Sequence, residues 1–235
     1  MTGVQTCALP ISFDPIHTGH LSAAIAAQET FGLDEIRLVP SGVPPHKSGR
    51  AVTAFADRYA MVALACLGIP HLAASRLEDP EHHSGMANYT IETVRRFREH
   101  LAPTDKLFFL IGADAFLEIK TWREPFALLD ACDFIVVSRP GFDIGLIRSC
   151  LPEGVRIHEP QQPNSIQLDH TAIHLLTTVH ADISSTEIRR RAAHGESLAG
   201  LVPPSVADYI IKRKVYSQDR SEEHTSELQS RGLIS

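Results

Sequence analysis

No CxxC pair occurs in this sequence, and its four cysteines, Cys7, Cys66, Cys132 and Cys150, lie far apart. That spacing excludes a zinc ribbon or a disulfide framework as the source of stability. The thiols are expected to act as small buried hydrophobes. No apolar run approaches the roughly 20 residues that a membrane-crossing helix needs. A charged stretch followed by an apolar one is missing from the N-terminus, so no secretory leader is expected and the cytoplasm is the expected compartment. A surplus of positive charge is missing too: Lys and Arg number 22 against 28 Asp and Glu, a formal net charge of −6. With a pI near 6.1, the surface as a whole does not attract a polyanion. Neither nucleic acid nor a membrane is an expected partner.

What is present fits one globular domain. Of 235 residues, 43% are apolar and 21% charged, enough to build a core without staples. Helical spacing predicts helices over 20–31, closed by Gly32, over 53–67, closed by Gly68, and over 89–101, with two short ones over 184–195 and 205–216. "EIRLV" (35–39), residues 71–75, "KLFFLIGAD" (106–114), "DFIVVSRPG" (133–141) and "AIHLLTT" (172–178) read as strands. The continuous apolar run of the third suits a sheet covered on both faces. Strands alternating with helices predict an α/β fold with a doubly wound parallel sheet and right-handed crossovers. Ligands in such a sheet sit beyond the C-terminal strand ends, at the switch point. The polar residues just after the strands therefore carry the functional expectation.

Two stretches meet it. In "HTGH" (17–20), His17 and His20 stand where a loop enters a helix, three residues apart and able to share a face beside free N–H groups that attract anions. Two imidazoles aimed at one phosphate can stabilise charge in phosphoryl-type transfer; a pair of surface or core histidines is the plainer alternative. In "ISSTEIR" (183–189), Ser184 and Glu187 have capping-box spacing, Ser185 and Thr186 follow at the positive helix end, and Arg189 lies one turn on, able to grip the same anion. By itself that is also what any well-capped helix looks like. Together, two helix N-termini could clamp a polyphosphate from both ends.

The ordered motifs "SFDPIHTGHL", "VPSGVPPHK", "YTIETV", "LIGADAF" followed by a Trp, "VVSRPG" and "ISSTEIR" resemble the bacterial nicotinate-nucleotide adenylyltransferases of the HxGH nucleotidyltransferase superfamily, over about residues 12–216. The resemblance implies a single Rossmann-like domain that joins ATP and nicotinate mononucleotide into deamido-NAD and pyrophosphate, with Mg²⁺ held mainly through the ATP phosphates. By the same resemblance His17 and His20 are catalytic, and Ser12, Phe13, Gly112, Asp114, Ser185, Thr186 and Arg189 join them in binding ATP. His46 and Lys47 fall near the mononucleotide phosphate, Thr90 near the nicotinate carboxylate, Trp122 against the pyridine ring and Arg139 near phosphate. Several have plainer uses: Lys47 as a loop charge, Thr90 as a helix N-cap, Trp122 as core, Asp114 as a cap and Arg139 in a turn. No protein-held metal is expected, and His82 and His83 read as surface. Sibling enzymes acting on phosphopantetheine or nicotinamide mononucleotide, and a catalytically dead nucleotide-binding protein, are the alternatives.

One departure stands out. The family carries Gly-Gly before this Ser-Phe-Asp-Pro; here Pro10 and Ile11 occupy those positions. Glycine lets backbone approach phosphate closely, whereas proline removes an N–H and isoleucine adds a branched side chain. Residues 1–11 and 217–235 read as non-native, resembling translated sequencing-adapter read-through. A poor first strand and impaired ATP handling are the expected consequences, with Thr6, Cys7 and Leu9 still able to pair.

Overall fold

In the computed structural model, the described residues are 3–42, 52–82, 88–160, 162–177 and 183–217. Strand β1 (Gln5–Ile11) leads into helix α1 (Thr18–Phe31), strand β2 (Glu35–Pro40), helix α2 (Phe55–Cys66) and strand β3 (Leu72–Ala74). After helix α3 (Thr90–Glu99) come strand β4 (Lys106–Gly112), the short helices α4 (Ala113–Phe116) and α5 (Pro125–Ala131), and strand β5 (Asp133–Val137). Helix α6 (Ile144–Cys150), strands β6 (Ser165–Gln167) and β7 (Ala172–Leu176), and helices α7 (Ser185–Ala193) and α8 (Pro204–Lys212) complete the fold.

These strands form one sheet in the order β3-β2-β1-β4-β5-β7-β6. Every neighbouring pair is parallel except β6 with β7. The doubly wound parallel sheet predicted from the alternation is thus observed, with one short antiparallel strand at its edge. β6 escapes sequence reading because three residues carry no usable period. The short helices α5 and α6 were likewise not predicted. Local chemistry makes them: Pro125 sits in the first turn of α5, and Asp143 caps α6 by accepting from the Gly145 N–H at 2.8 Å.

Each face of the sheet buries its own core. On one face Cys7, Leu9, Leu38, Leu110 and Ile135 pack against Leu21 and Ala24 of α1, Met61 and Val62 of α2, Ile188 of α7 and Val206 and Ile210 of α8. On the other, Ala8, Phe109, Phe134 and Val136 meet Ile91 and Val94 of α3, Phe116 of α4, Leu128 of α5 and Ile147 of α6. Residues alternate between faces because the side-chain period of a strand is two. All four cysteines are free thiols, and Cys7, Cys132 and Cys150 are buried. Cys7 faces the first core, and burial pushes its thiol well above the ordinary range.

The first strand occupies the centre of the sheet. Residues 6–11 run in register with β2 from Thr6 opposite Glu35 to Ile11 opposite Pro40. Pairing with β4 begins at Gln5 opposite Lys106 and ends at Ala8 opposite Phe109. The Gln5 carbonyl accepts from Asp34 and the Ile11 carbonyl from Ser41, both on the β2 side, while the Val4 carbonyl accepts from Lys106 on the β4 side. Odd-numbered residues therefore face β2 and even-numbered ones β4. Pro10, which has no N–H to give, faces β4 beyond the point where that ladder stops. The strand tolerates proline here for that reason.

The helix ends refine two expectations. Tyr89, not Thr90, is the N-cap of α3 and Thr90 is its first residue; Gly112, not Asp114, is the N-cap of α4. Gly32 does close α1, in the left-handed conformation at φ 62°.

Phe134 is fully buried, with ring centroids 5.6 Å from Phe109 and 5.3 Å from Phe116. Phe134→Ala is expected to cost about 3–5 kcal/mol, read as a lower urea midpoint with an unchanged slope; a shift of less than about 1 kcal/mol would mean this core relaxes around the gap.

Candidate active site at the parting of two strands

Beyond Ala8 and Phe109, β1 and β4 separate, and strand order reverses direction at this pair. Such a switch point leaves a crevice at the C-terminal ends of the strands. Two cavities open there, one on each side of the end of β1. The first, about 450 Å³, is lined by Leu9, Ile11, His17, His20, Gly112, Asp114, Ser138 and Arg139 among others. The second, about 640 Å³, is lined by Pro10, Ser41, Glu78, Asn88, Tyr89, Thr90, Trp122 and Arg123 among others. Alternation along the strand puts Ile11 on one wall and Pro10 on the other.

In the first cavity, His17 is the N-cap of α1, a helix with no acidic residue in its first turn, so the positive end of its dipole is not offset there by a carboxylate; the Thr18 N–H donates to the Leu201 carbonyl at 2.9 Å and the His20 N–H to the His17 carbonyl at 3.0 Å. The His17 and His20 rings stack at 3.6 Å, and the Phe13 ring meets His20 edge-on at 5.1 Å. The His17 backbone N–H donates to His20 Nδ1 at 3.3 Å. By accepting there, a neutral His20 keeps its proton on Nε2, available to donate. Among the described residues, His17 Nδ1 and the Ser138 hydroxyl are buried without a hydrogen-bond partner. Burial lowers His17 from 6.5 to about 4. His20 falls further, to about 3, through burial and then the neighbouring His17 charge. Both imidazoles are neutral near pH 7 in the free protein and poised to take an anion's field.

The turn that precedes them is tightly held. Phe13 is fully buried at a φ of 47°, a conformation that costs energy and persists only when neighbours enforce it. The Ser185 hydroxyl donates to the Pro15 carbonyl at 3.0 Å. Arg189 donates to the Asp14 carbonyl and, at 3.0 Å, to Thr186 Oγ1. Ser184 caps α7 as its spacing predicted, accepting from the Glu187 N–H at 3.2 Å. Ser185, Thr186 and Arg189 thus brace the first turn, and of their segment Ile183 is the residue on the cavity wall. Ser12 directs its carbonyl to Arg58.

Thr90 and Trp122 both line the second cavity. Arg139 lies instead in the first cavity, with His17. His46, Lys47 and His83 lie outside the described residues, as does the side chain of His82. Among the described residues no group of three or more His, Cys, Asp or Glu side chains is gathered for a metal. Asp114 is the carboxylate on the wall of the first cavity.

Several residues escaped sequence reading. Glu78 is 4% exposed, accepting from the Gly42 N–H at 3.1 Å, from Asn88 at 3.3 Å and from the Thr93 hydroxyl. Burial raises its carboxyl above the ordinary range, with those hydrogen bonds opposing. Gly42 is indispensable there, since a Cβ would lie 2.2 Å from the Glu78 carbonyl oxygen. Ser41, Ser138 and Arg123, whose guanidinium lies 4.5 Å over the Tyr89 ring, were missed as well. Only "VVS" and the Trp-Arg step hinted at them, because each follows a strand end or an already marked residue.

The cytidylyltransferase-like family matches residues 10–191. A "Probable nicotinate-nucleotide adenylyltransferase" of Pelobacter propionicus is 40% identical over 210 residues, 88% of this chain and 95% of that protein. One of the same name from Moorella thermoacetica is 40% identical over 206 residues, 87% of this chain and 88% of its own. In fold the chain is similar to a solved Plasmodium falciparum nicotinic acid mononucleotide adenylyltransferase complexed with NaAD, at a TM-score of 0.67 and 22% identity, with 91% of this chain and 97% of that one covered.

The lowered histidines link stability to pH. Between the unperturbed value of 6.5 and their own values of about 4 and about 3, the unfolded chain binds more protons than the folded one, so stability falls as pH drops through that window. A His17→Gln, His20→Gln variant is expected to lose less stability than the unaltered chain between pH 6.5 and pH 4, measured by urea midpoints. Equal losses in both proteins would show that these two rings are solvated.

Proposed function

This chain belongs to the cytidylyltransferase-like family and, within it, to the nicotinate-nucleotide adenylyltransferases, and we propose that it transfers the adenylyl group of ATP to nicotinate mononucleotide, giving deamido-NAD and pyrophosphate. The observation that carries this reading is the pair of cavities flanking one strand end, one built around His17 and His20 and the other around Thr90 and Trp122. A reaction that joins two nucleotides needs both, with their phosphates meeting between.

A phosphate oxygen of the mononucleotide attacks the α-phosphorus of ATP; the bond from that phosphorus to the bridging oxygen breaks, and pyrophosphate leaves with the electron pair. The attacking oxygen is already ionised, so no general base is needed. His17 and His20 donate to the oxygens on which charge accumulates, a role worth about 10²–10³ in rate per donor. Gly112, Asp114 and Arg139 share that cavity and bind the rest of ATP, with Ser12 and Phe13 shaping the turn. Ser185, Thr186 and Arg189 fix this turn from behind, and reach ATP only if Arg189 exchanges the Asp14 carbonyl for phosphate. In the second cavity Trp122 stacks on the pyridine ring and Thr90 binds the nicotinate carboxylate; Lys47 and His46, outside the described residues, are assigned to the mononucleotide phosphate by the family resemblance alone. Asp114, the carboxylate on that of the first cavity's wall, would suit Mg²⁺, an ion that keeps most of its waters and binds chiefly through phosphates, and that would supply neutralisation of phosphate charge. Both substrates are water-soluble anions, which supports a cytoplasmic setting without nucleic acid or membrane.

Pro10 and Ile11 limit this activity. Their side chains stand on opposite walls at the one place where the two phosphates must approach, and act as a septum. The stretch 1–11, read as non-native, thus supplies a competent strand and an obstructive turn.

Pyrophosphate release with ATP, Mg²⁺ and nicotinate mononucleotide is expected to be slow for the chain and faster by at least about tenfold for Pro10→Gly, Ile11→Gly. Nicotinamide mononucleotide should be the poorer substrate for both. Equal rates for the two proteins would remove the septum, and preference for another acceptor would remove the substrate assignment. In the faster background His20→Ala is expected to lose about 10²–10³ in kcat; a loss under about tenfold would place catalytic charge stabilisation elsewhere.

A further inference from the structure

Arg58, in the first turn of α2, is 2% exposed. Arginine is almost never so deeply buried unless its donors and its charge are both answered. Its Nε donates to the Thr53 carbonyl at 2.8 Å and its Nη1 to the Ser12 carbonyl at 2.8 Å. A longer bond, 3.5 Å, runs from Nη2 to the Gly42 carbonyl. Two buried carboxyl groups, Asp14 at 7% and Glu78 at 4% exposure, favour its cation against the cost of burial. Asp14 in turn accepts from the Tyr216 hydroxyl at 2.9 Å and from the Thr53 N–H at 3.4 Å.

The three carbonyls belong to different regions of the site. Ser12 precedes Phe13, whose ring abuts His20. Gly42 follows Ser41, which lines the second cavity. Thr53 leads into α2. A core built for stability alone gains little from a buried ion, since apolar replacements of equal volume are often neutral or better. A planar guanidinium does supply directed bonds that diverge at fixed angles. Resting on the adenylyl-transfer reading above, we propose that Arg58 is a positioning residue that fixes the separation of the two nucleotide cavities by holding Ser12 and Gly42 from a single fork. It touches neither nucleotide and acts on His20 through Ser12 and Phe13.

The test is Arg58→Lys, made in the chain itself and in Pro10→Gly, Ile11→Gly. Lysine keeps the charge but not the fork. Calorimetric binding of ATP alone and of nicotinate mononucleotide alone should stay close to the parent values, while kcat falls by about 10²-fold, the scale of a misplaced reacting group. A kcat near the parent's, or binding lost in step with kcat, overturns the proposal. Amide exchange supplies a readout that needs no turnover: the Gly42 and Thr53 amides should both exchange about tenfold faster, with those of β5 and β7 unmoved. Acceleration at one segment only, or at neither, overturns the proposal even if no parent protein turns over, an outcome that by itself would sink only the reaction assignment. Should Arg58→Lys fail to melt cooperatively, Arg58→Met, which removes the fork and keeps a side chain of similar length, takes its place in the exchange experiment under the same two outcomes.

Discussion

The site depends on the end of one hydrogen-bonded ladder. β1 and β4 pair only as far as Ala8 and Phe109, while β1 stays with β2 through Ile11. A parallel sheet wound in both directions from that pair cannot cover the gap with a helix, so the gap becomes the crevice. The cavity linings hang from its rim: α1 starts beside the end of β1, α4 at the end of β4, and Ser138 and Arg139 lie just past β5. The two-residue period then sorts neighbours along a strand to opposite cavities. Pro10 and Ile11 are adjacent in sequence and face different chambers.

Charge is handled economically around this crevice. The two imidazoles are buried enough to remain neutral, and they sit at a helix N-terminus whose dipole supplies positive potential without a formal charge. Such an end favours negative charge without two like charges repelling each other across the stacked rings. Behind it, Asp14, Arg58 and Glu78 form a buried alternation of sign whose hydrogen bonds run to backbone or to hydroxyl and amide groups. Such an arrangement is costly to break, because loss of one member strands the others away from water.

Much of this was legible in residue order. The strands ending at Gly112 and Val137 carry continuous apolar runs, and the polar residues just after them, Asp114, Ser138 and Arg139, line the first cavity. His17 and His20 come together because three residues span one helical turn. Ser184 caps its helix because a hydroxyl three residues before an acidic side chain does so wherever a helix begins. Other placements were not legible. Arg58 reads as one basic residue within an amphipathic helix, and Glu78 as one acid in a polar loop; both are buried because Ser12, Gly42 and Thr53 converge from distant stretches of the chain. Ser185, Thr186 and Arg189 read as phosphate ligands, yet in the folded protein their groups are engaged with Pro15, Asp14 and each other.

The first strand shows the division most plainly. From composition, "QTCALPI" is a poor centre for a sheet, with a glutamine, a threonine and a proline in seven residues. Neighbouring strands on both sides, and helices over both faces, make it one nonetheless, since backbone hydrogen bonding is indifferent to most side chains. By itself, the sequence determined the alternation of strands and helices, the cap of α7 at Ser184 and the pairing of His17 with His20 at a helix start, because each depends on local spacing. Only the tertiary structure decided that the β1–β4 ladder stops before Pro10, that Ile11 and Pro10 stand between the two chambers, and that Arg58 ties their rims together, because each depends on which distant backbone groups are left without a partner.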